Sequence, residues 1–232
     1  MAAAARGAIR SPNIWGSPRV YETENRAVDP YGRLAAALRE VRGWTDANVL
    51  DIGCGTGYHL PWFATSAARV VGVEPHAGLA QVARRRCAGL SNVRVHVGAA
   101  QDLPLPDACV DVSHARWAYF FGPGCAPGLR ELARVMRRGG VSFVVDNDAT
   151  RSTFGRWFRA AYPGYDPGAV ERFWSSHGWN RRQVDMGWRF ESRAELAAVL
   201  AIELPPEHAE RFAAEHDDVE VDYAVNVWWR EW

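Results

Sequence analysis

Five short apolar runs limit what this chain can fold into: NVLDI (48–52), RVVGV (69–73), VRVHV (93–97), CVDVS (109–113) and VSFVV (141–145). Runs this short, rich in β-branched residues and bounded by turn formers, suit strands covered on both faces. Most are separated by segments of helical periodicity, marked by Phe63 and Ala64, by Leu79, Val82 and Ala83, and by Leu129, Leu132 and Val135. Strands and helices in alternation call for a parallel sheet with helices on both faces, because parallel neighbours can be joined only by a crossover. The expected class is doubly wound α/β.

Local signals place the remaining elements. Asp29-Pro30 reads as an N-cap and first helical residue, with Leu34, Leu38 and Val41 on one apolar face and Gly43 as the stop. Pro61 fits only the first turn of the helix that holds Phe63. LPLPD (103–107) is a loop, and Gly139-Gly140 ends the helix before the fifth strand. Beyond Asp146 the pattern changes. Of 27 aromatic residues, 15 fall in positions 151–232, among them seven of eleven tryptophans, so this part reads as something built onto the scaffold. Phe154, Trp157 and Phe158 predict a short helix, 182–190 a strand, and 192–201 a helix with Ser192 as N-cap and Glu195 completing a capping box. Pro205-Pro206 starts another helix, and 219–229 alternates as a final strand. The opening MAAAARGAIR has no apolar stretch, is short for a transit peptide, and reads as a disordered start.

Composition removes whole chemistries. The 27 basic residues are all arginine, which excludes Schiff-base enzymes and nucleotidases or kinases that need a lysine against their phosphates. Zero net charge argues against nucleic-acid and membrane-surface partners, and the triple Arg84-Arg85-Arg86 reads as a solvated cationic cap at a helix end and not as a nucleic-acid site. Cys54, Cys87, Cys109 and Cys125 form no CxxC pair, which points away from zinc and toward a reducing, cytoplasmic compartment. No apolar run is long enough for a membrane helix. A monomer or homodimer is expected.

Ligands of an open parallel sheet bind at the carboxyl ends of its strands. The first such end carries Asp51-Ile52-Gly53-Cys54-Gly55-Thr56-Gly57. A dinucleotide turn would have its third glycine where Tyr58 stands; the spacing here is GxGxG preceded by an acid. Glu74 closes the second strand 19 residues after Gly55, where a carboxylate can accept both hydroxyls of a ribose.

VLDIGCGTGYH (49–59), VVGVEP (70–75), VRVHVGAAQDLPLPDACVDV (93–112) and LRELARVMRRGG (129–140) resemble, in order and spacing, the successive motifs of the class I S-adenosylmethionine-dependent methyltransferases, in particular the small bacterial type 11 group. The resemblance spans roughly residues 30–146. It implies a Rossmann-like, seven-stranded, mostly parallel sheet with an N-terminal helical lid and an aromatic-rich insertion after strand five. One domain over 1–232 would then comprise the lid and first helix (1–45), the cofactor-binding core (46–146), and the acceptor-side insertion with its closing hairpin (147–232). It also implies S-adenosylmethionine as cofactor, released as S-adenosylhomocysteine. Asp51, Gly53, Cys54, Gly55 and Gly57 would surround its methionine portion, Glu74 with Pro75 its ribose, and Ala100 with Gln101 its adenine. Ala99 stands where the family often has an aspartate, so a backbone group or Gln101 would replace that contact.

On the acceptor side, His114, Arg116 and Trp117 follow the fourth strand, and Arg116 is a catalytic candidate as an anion clamp beside the methyl. His114 reads either as a general base or as a histidine packed beside the cofactor. Asp146-Asn147-Asp148 is similar to the strand ending of metal-dependent catechol-type methyltransferases, but those also need an aspartate after strand four, where His114-Ala115-Arg116 stands. No metal is expected, and Asp146 is a candidate base. Tyr21, in the stretch Asn13 to Asn25, would close over the cofactor as a lid. Tyr21, Trp117, Asp148 and Trp157, with Phe158, Tyr162, Trp174, Trp179 and Trp188, would line an acceptor pocket, or some of these aromatic residues would form core or a dimer contact instead. The function expected is methyl transfer to O, N, S or C of a small molecule. The alternatives are a non-catalytic cofactor-binding or interaction protein and, less favoured, an RNA methyltransferase, since HARW replaces an NPPY-type tetrapeptide.

Overall fold

The computed structural model describes residues 4–5, 7–118 and 124–232. Among these, strands β1 (Asn48–Ile52), β2 (Arg69–Glu74), β3 (Val93–Val97), β4 (Val110–Arg116), β5 (Met136–Asn147), β6 (Asn180–Arg189) and β7 (Glu220–Glu231) form a sheet in the order β3-β2-β1-β4-β5-β7-β6. Strands β1 to β5 pair in parallel, while β7 runs antiparallel to both β5 and β6. This is the doubly wound, seven-stranded fold expected from the sequence.

Both faces are covered because successive strand residues point to opposite sides. Val49, Val70, Val112 and Phe143 join one core, shared with Leu34, Leu38 and Phe63. Their neighbours Leu50, Val71 and Val144 join the other, shared with Leu132, Val135 and Trp174. The helices are α1 (Pro12–Gly16), α2 (Pro18–Ala27), α3 (Arg33–Val41), α4 (Leu60–Ala64), α5 (Ala77–Arg86), α6 (Ala126–Val135), α7 (Thr153–Ala161), α8 (Pro167–Ser176), α9 (Arg193–Glu203) and α10 (Pro206–Glu215). None is long and apolar enough to cross a membrane.

Several boundaries differ from the expectation for identifiable reasons. Helix α3 starts at Arg33 rather than at Pro30, yet the Asp29 carboxylate still accepts from the amides of Arg33 (2.7 Å), Leu34 (3.0 Å) and Ala35 (3.3 Å). The cap therefore acts across a turn. Gly139-Gly140 does not end α6, which stops at Val135; the pair lies in β5, where the Gly139 amide donates to the Trp232 carbonyl (2.7 Å). Ser192 caps α9 as expected, but Glu195 reaches the amide of Glu191 instead of that of Ser192.

The N-terminal stretch is also corrected. Residues 1–3 and 6 lie outside the described residues. The Ala5 amide, however, donates to the Pro75 carbonyl (2.8 Å), and Gln101 donates to the Gly7 carbonyl (2.9 Å), so the described part runs across the carboxyl edge of the sheet. Arg86 proves more than a solvated helix end. It pairs with Glu22 of α2 (2.6 Å) and donates to the Thr56 carbonyl (3.0 Å), tying the N-terminal helices to the glycine turn.

Candidate active site

Strand β1 ends in a turn held to β2: the amides of Gly53 and Cys54 both donate to the Val73 carbonyl (2.8 and 3.1 Å). Gly53 has φ 71°, and a Cβ there would stand 2.5 Å from the Cβ of Ala118, so only glycine fits this close approach. The turn aims the Gly55 amide at Glu74 Oε2 (2.9 Å), while the His76 amide donates to Oε1 (2.9 Å). Burial pushes the Glu74 carboxyl up to about 7 against the opposing pull of these two donors. Around the turn lies a cavity of about 100 Å³, lined by Asp51, Gly53, Cys54, Gly55, Glu74, Pro75, His114 and Arg116 and roofed by Ile14, Trp15 and Tyr21 of α1 and α2. A neighbouring cavity of about 160 Å³ shares Gly53, Pro75 and Ala118 with it and continues to Ala99, Ala100 and Gln101. Together they make an elongated cleft along the ends of β1, β2 and β3.

Under this cleft, Asp51 Oδ1 holds His114 Nδ1 at 2.8 Å, with both side chains buried. Sequence reading missed His59. Its Nε2 stands 3.4 Å from Arg116 NH1, and burial together with the Arg116 charge holds its imidazole well below the usual histidine range. The Arg116 guanidinium stacks 4.4 Å from the Trp117 ring centroid, and its Nε and NH2 have no hydrogen-bond partner. A guanidinium so placed is a receptor for an anion that enters the cleft.

Trp117 leaves β4 with φ 49°, a left-handed conformation unfavourable for a bulky residue. Its amide donates to the Val145 carbonyl (2.9 Å) and its indole to Asn147 Oδ1 (2.6 Å), which together hold it there. Tyr223 from β7 also donates to Asn147 Oδ1, and its ring lies parallel to that of Trp117. Beyond this wall opens a cavity of about 400 Å³, lined by Tyr21, Glu24, Trp117, Asp146, Asn147, Phe158, Tyr162, Tyr165, Glu203 and Tyr223, among others. Tyr21 and Trp117 line both this cavity and the cleft. Burial raises Asp146 to about 7, opposed by donors from Asn226 and Trp228 (each 3.0 Å) that occupy its two oxygens.

Six residues expected at the site lie elsewhere. Gly57 lines neither the cleft nor the pocket and instead faces Ala83 of α5. Asp148 is fully buried and occupied by Thr150 and Gln183, which makes it a turn-forming group. Trp157 stacks on Phe212 of α10 (5.2 Å between centroids), away from the pocket that its neighbour Phe158 lines. Trp174 and Trp179 pack with Trp228, and Trp188 with Phe154 and Tyr223, all as core. Glu24 could have been found from its position three residues after Tyr21 on one helix, which puts both on one face. Glu203 and Tyr223 carry no local signal.

Residues 49–140 match a family model described as a methyltransferase domain. The chain is 33% identical over 118 residues to the uncharacterized methyltransferase YcgJ of Bacillus subtilis, covering 50% of this chain and 47% of that protein. It is 31% identical over 125 residues to the malonyl-[acyl-carrier protein] O-methyltransferase of Serratia marcescens, covering 50% and 48%. The chain thus matches about half the length of these curated relatives. The crystal structure of YcgJ superposes with a TM-score of 0.61 at 18% identity, over 86% of this chain and 97% of that one. A SAM-dependent methyltransferase from Aquifex aeolicus superposes with 0.54 at 16% identity, over 90% and 97%.

Proposed function

We propose that this chain, whose residues 49–140 match a methyltransferase-domain model, is a class I S-adenosylmethionine-dependent methyltransferase that moves a methyl group to an oxygen, nitrogen, sulfur or carbon of a small molecule by in-line displacement. The observation that carries this reading is a cleft along the strand ends and an aromatic pocket that meet at Tyr21 and Trp117. When bound, S-adenosylmethionine supplies a methyl group activated on a sulfonium. The chain's own part is to hold the two reactants in line and exclude water, which can remove roughly 7–11 kcal/mol from the barrier.

Glu74 would accept the ribose hydroxyls, and Ala100 with Gln101 would border the adenine. Arg116 would take the cofactor carboxylate through the nitrogens that lack a partner, which assigns it to binding instead of the catalytic role first expected. Asp51 fixes His114 through Nδ1, so any proton moved by His114 would pass through Nε2. Zero net charge supports a small-molecule acceptor over a nucleic acid. Free thiols at Cys54, Cys87, Cys109 and Cys125 support a reducing cytoplasm.

Calorimetric titration with S-adenosylmethionine, followed by incubation of labelled cofactor with a cell extract, tests the reading. Saturable binding and a labelled product of low mass are expected. Binding without any labelled product would mark a non-catalytic binding protein, and label in RNA would overturn the small-molecule acceptor. Helices α1 and α2 are proposed as a lid. Deleting residues 1–26 strips Ile14, Trp15 and Tyr21 from the cleft and is expected to weaken cofactor binding roughly tenfold or more. Unchanged affinity and turnover would mean the segment is no lid.

A further inference from the structure

The pocket beyond Trp117 has an unusual charge balance. Aromatic rings wall it, chiefly Tyr21, Trp117, Phe158, Tyr162 and Tyr223. Glu24 of α2 and Glu203 at the end of α9 also face into it, their carboxyls within hydrogen-bonding reach of each other. Glu24 is only 5% exposed, and its Oε2 has no hydrogen-bond partner. Glu203 Oε1 accepts from Asn13 Nδ2 (2.5 Å).

Two carboxyls in contact cannot both ionise, and burial raises each of them further, so the pair shares one proton and carries one negative charge. Among the described lining residues there is no arginine or histidine, and the chain has no lysine. Arg116, whose charge acts on Glu24, lines the cleft instead of this pocket, and Arg181 acts on Asp146 and Tyr165 from outside the lining. The pocket therefore presents a buried negative charge and several ring faces, with no cation of its own. Ring quadrupoles and a buried carboxylate both favour an ammonium. They repel a carboxylate or phosphate, and a neutral alcohol would leave the buried charge without a counter-charge inside the pocket.

We propose that the acceptor is an amine, seated as an ammonium against Glu24 and Glu203, and that the protein is an N-methyltransferase; this rests on the methyl-transfer reading above. The Glu24–Glu203 pair, holding one proton, takes a second from the ammonium and leaves a neutral amine. The nitrogen lone pair forms the new N–C bond as the C–S bond of the sulfonium breaks, and the electron pair of that bond stays on sulfur. Positive charge passes from sulfur to nitrogen, the product leaves as a methylated ammonium, and the pair returns its extra proton to solvent. Raised carboxyl pKa values suit this exchange, because they narrow the gap to an amine.

The test is a titration of the full chain, saturated with S-adenosylhomocysteine, with tryptamine, tryptophol and indole-3-propionate. These share a ring and differ in the charge of the head group. Tryptamine is expected to bind at least roughly tenfold tighter than tryptophol, with the acid weakest. Glu203→Gln, and separately Glu24→Gln, should erase the preference while near-UV circular dichroism stays that of the parent. Equal or tighter binding of tryptophol or the acid, a preference that survives both substitutions, or no binding by any probe, would overturn the amine proposal. Labelled transfer to another acceptor class would then leave the methyltransferase reading standing. Failure to bind S-adenosylhomocysteine would overturn both.

Discussion

Glutamine in place of Glu74 is expected to weaken cofactor binding by about 10²-fold and to change how stability responds to pH. The affinity loss follows from the carboxylate's two proposed hydrogen bonds to ribose hydroxyls. A charged acceptor contributes roughly 1.5–3 kcal/mol per bond, and an amide keeps one acceptor and no charge. The stability effect follows from burial, which raises this carboxyl from 4.5 to about 7. A group with a higher pKa in the fold than in the unfolded chain binds its proton more tightly when folded. Its stabilising share is complete below about pH 4.5 and is lost as pH rises through about 7, a loss of roughly 3 kcal/mol. Glutamine has no such slope, but its amide opposes either the Gly55 or the His76 donor, costing about 1–3 kcal/mol at every pH. The variant should therefore be the less stable protein at pH 5 and draw level with or pass the parent at pH 8. Urea unfolding at both pH values reads the change, and S-adenosylhomocysteine titration reads the affinity. A stability gap independent of pH would mean that Glu74 titrates normally; unchanged affinity would remove it from the cofactor site. A buried carboxylate that costs stability near neutrality is what a retained binding group looks like.

What could be read from the sequence followed from what is local. Strands β1 to β5 and the glycine turn announce themselves because their constraint lies in adjacent residues: β-branched runs, a positive φ at Gly53, and an acid one crossover later at Glu74. The cleft was legible for the same reason. The neighbouring aromatic pocket was not, because its walls come from α2, the residue after β4, β5, α7, the end of α9 and β7, and no periodicity links Glu24 to Glu203 across 179 positions. Aromatic content marked the right part of the chain but only some of the right side chains: Phe158 and Tyr162 line the pocket, while Trp157, Trp174, Trp179 and Trp188 do not. On α7, Phe158 lines the pocket and Trp157 packs against α10, since adjacent helical residues point about 100° apart. Asp148 failed for a related reason: two residues beyond Asp146 the strand has ended, and the carboxylate closes on its own turn through Thr150.

Alanine in place of Gly57 is expected to destabilise the fold by about 2–5 kcal/mol, although Gly57 touches neither cavity. Two costs combine. Its φ of 75° requires the left-handed region, which costs a side chain roughly 1–2 kcal/mol. A Cβ there would also stand 2.8 Å from the Ala83 Cβ and 3.0 Å from the Ala83 Cα, and overpacking of that kind costs roughly 1–3 kcal/mol. Ala83 is fully buried on α5, so relief can come only by moving the helix or the turn. Gly139 separates the two terms. It has φ 78° but nothing within 4 Å of a built Cβ, so Gly139→Ala should carry the conformational cost alone. For a chain of this size, Gly57→Ala should lower Tm by roughly 5–15 °C, and Gly139→Ala by only a few degrees. Equal shifts in the two melts would show that contact with Ala83 is not what fixes the turn. If the turn moves instead of α5, the Gly55 amide leaves Glu74, and cofactor affinity falls at temperatures where the variant is still folded. In that case the third glycine serves the site by fixing the distance between β1 and α5, which sets where the second glycine points.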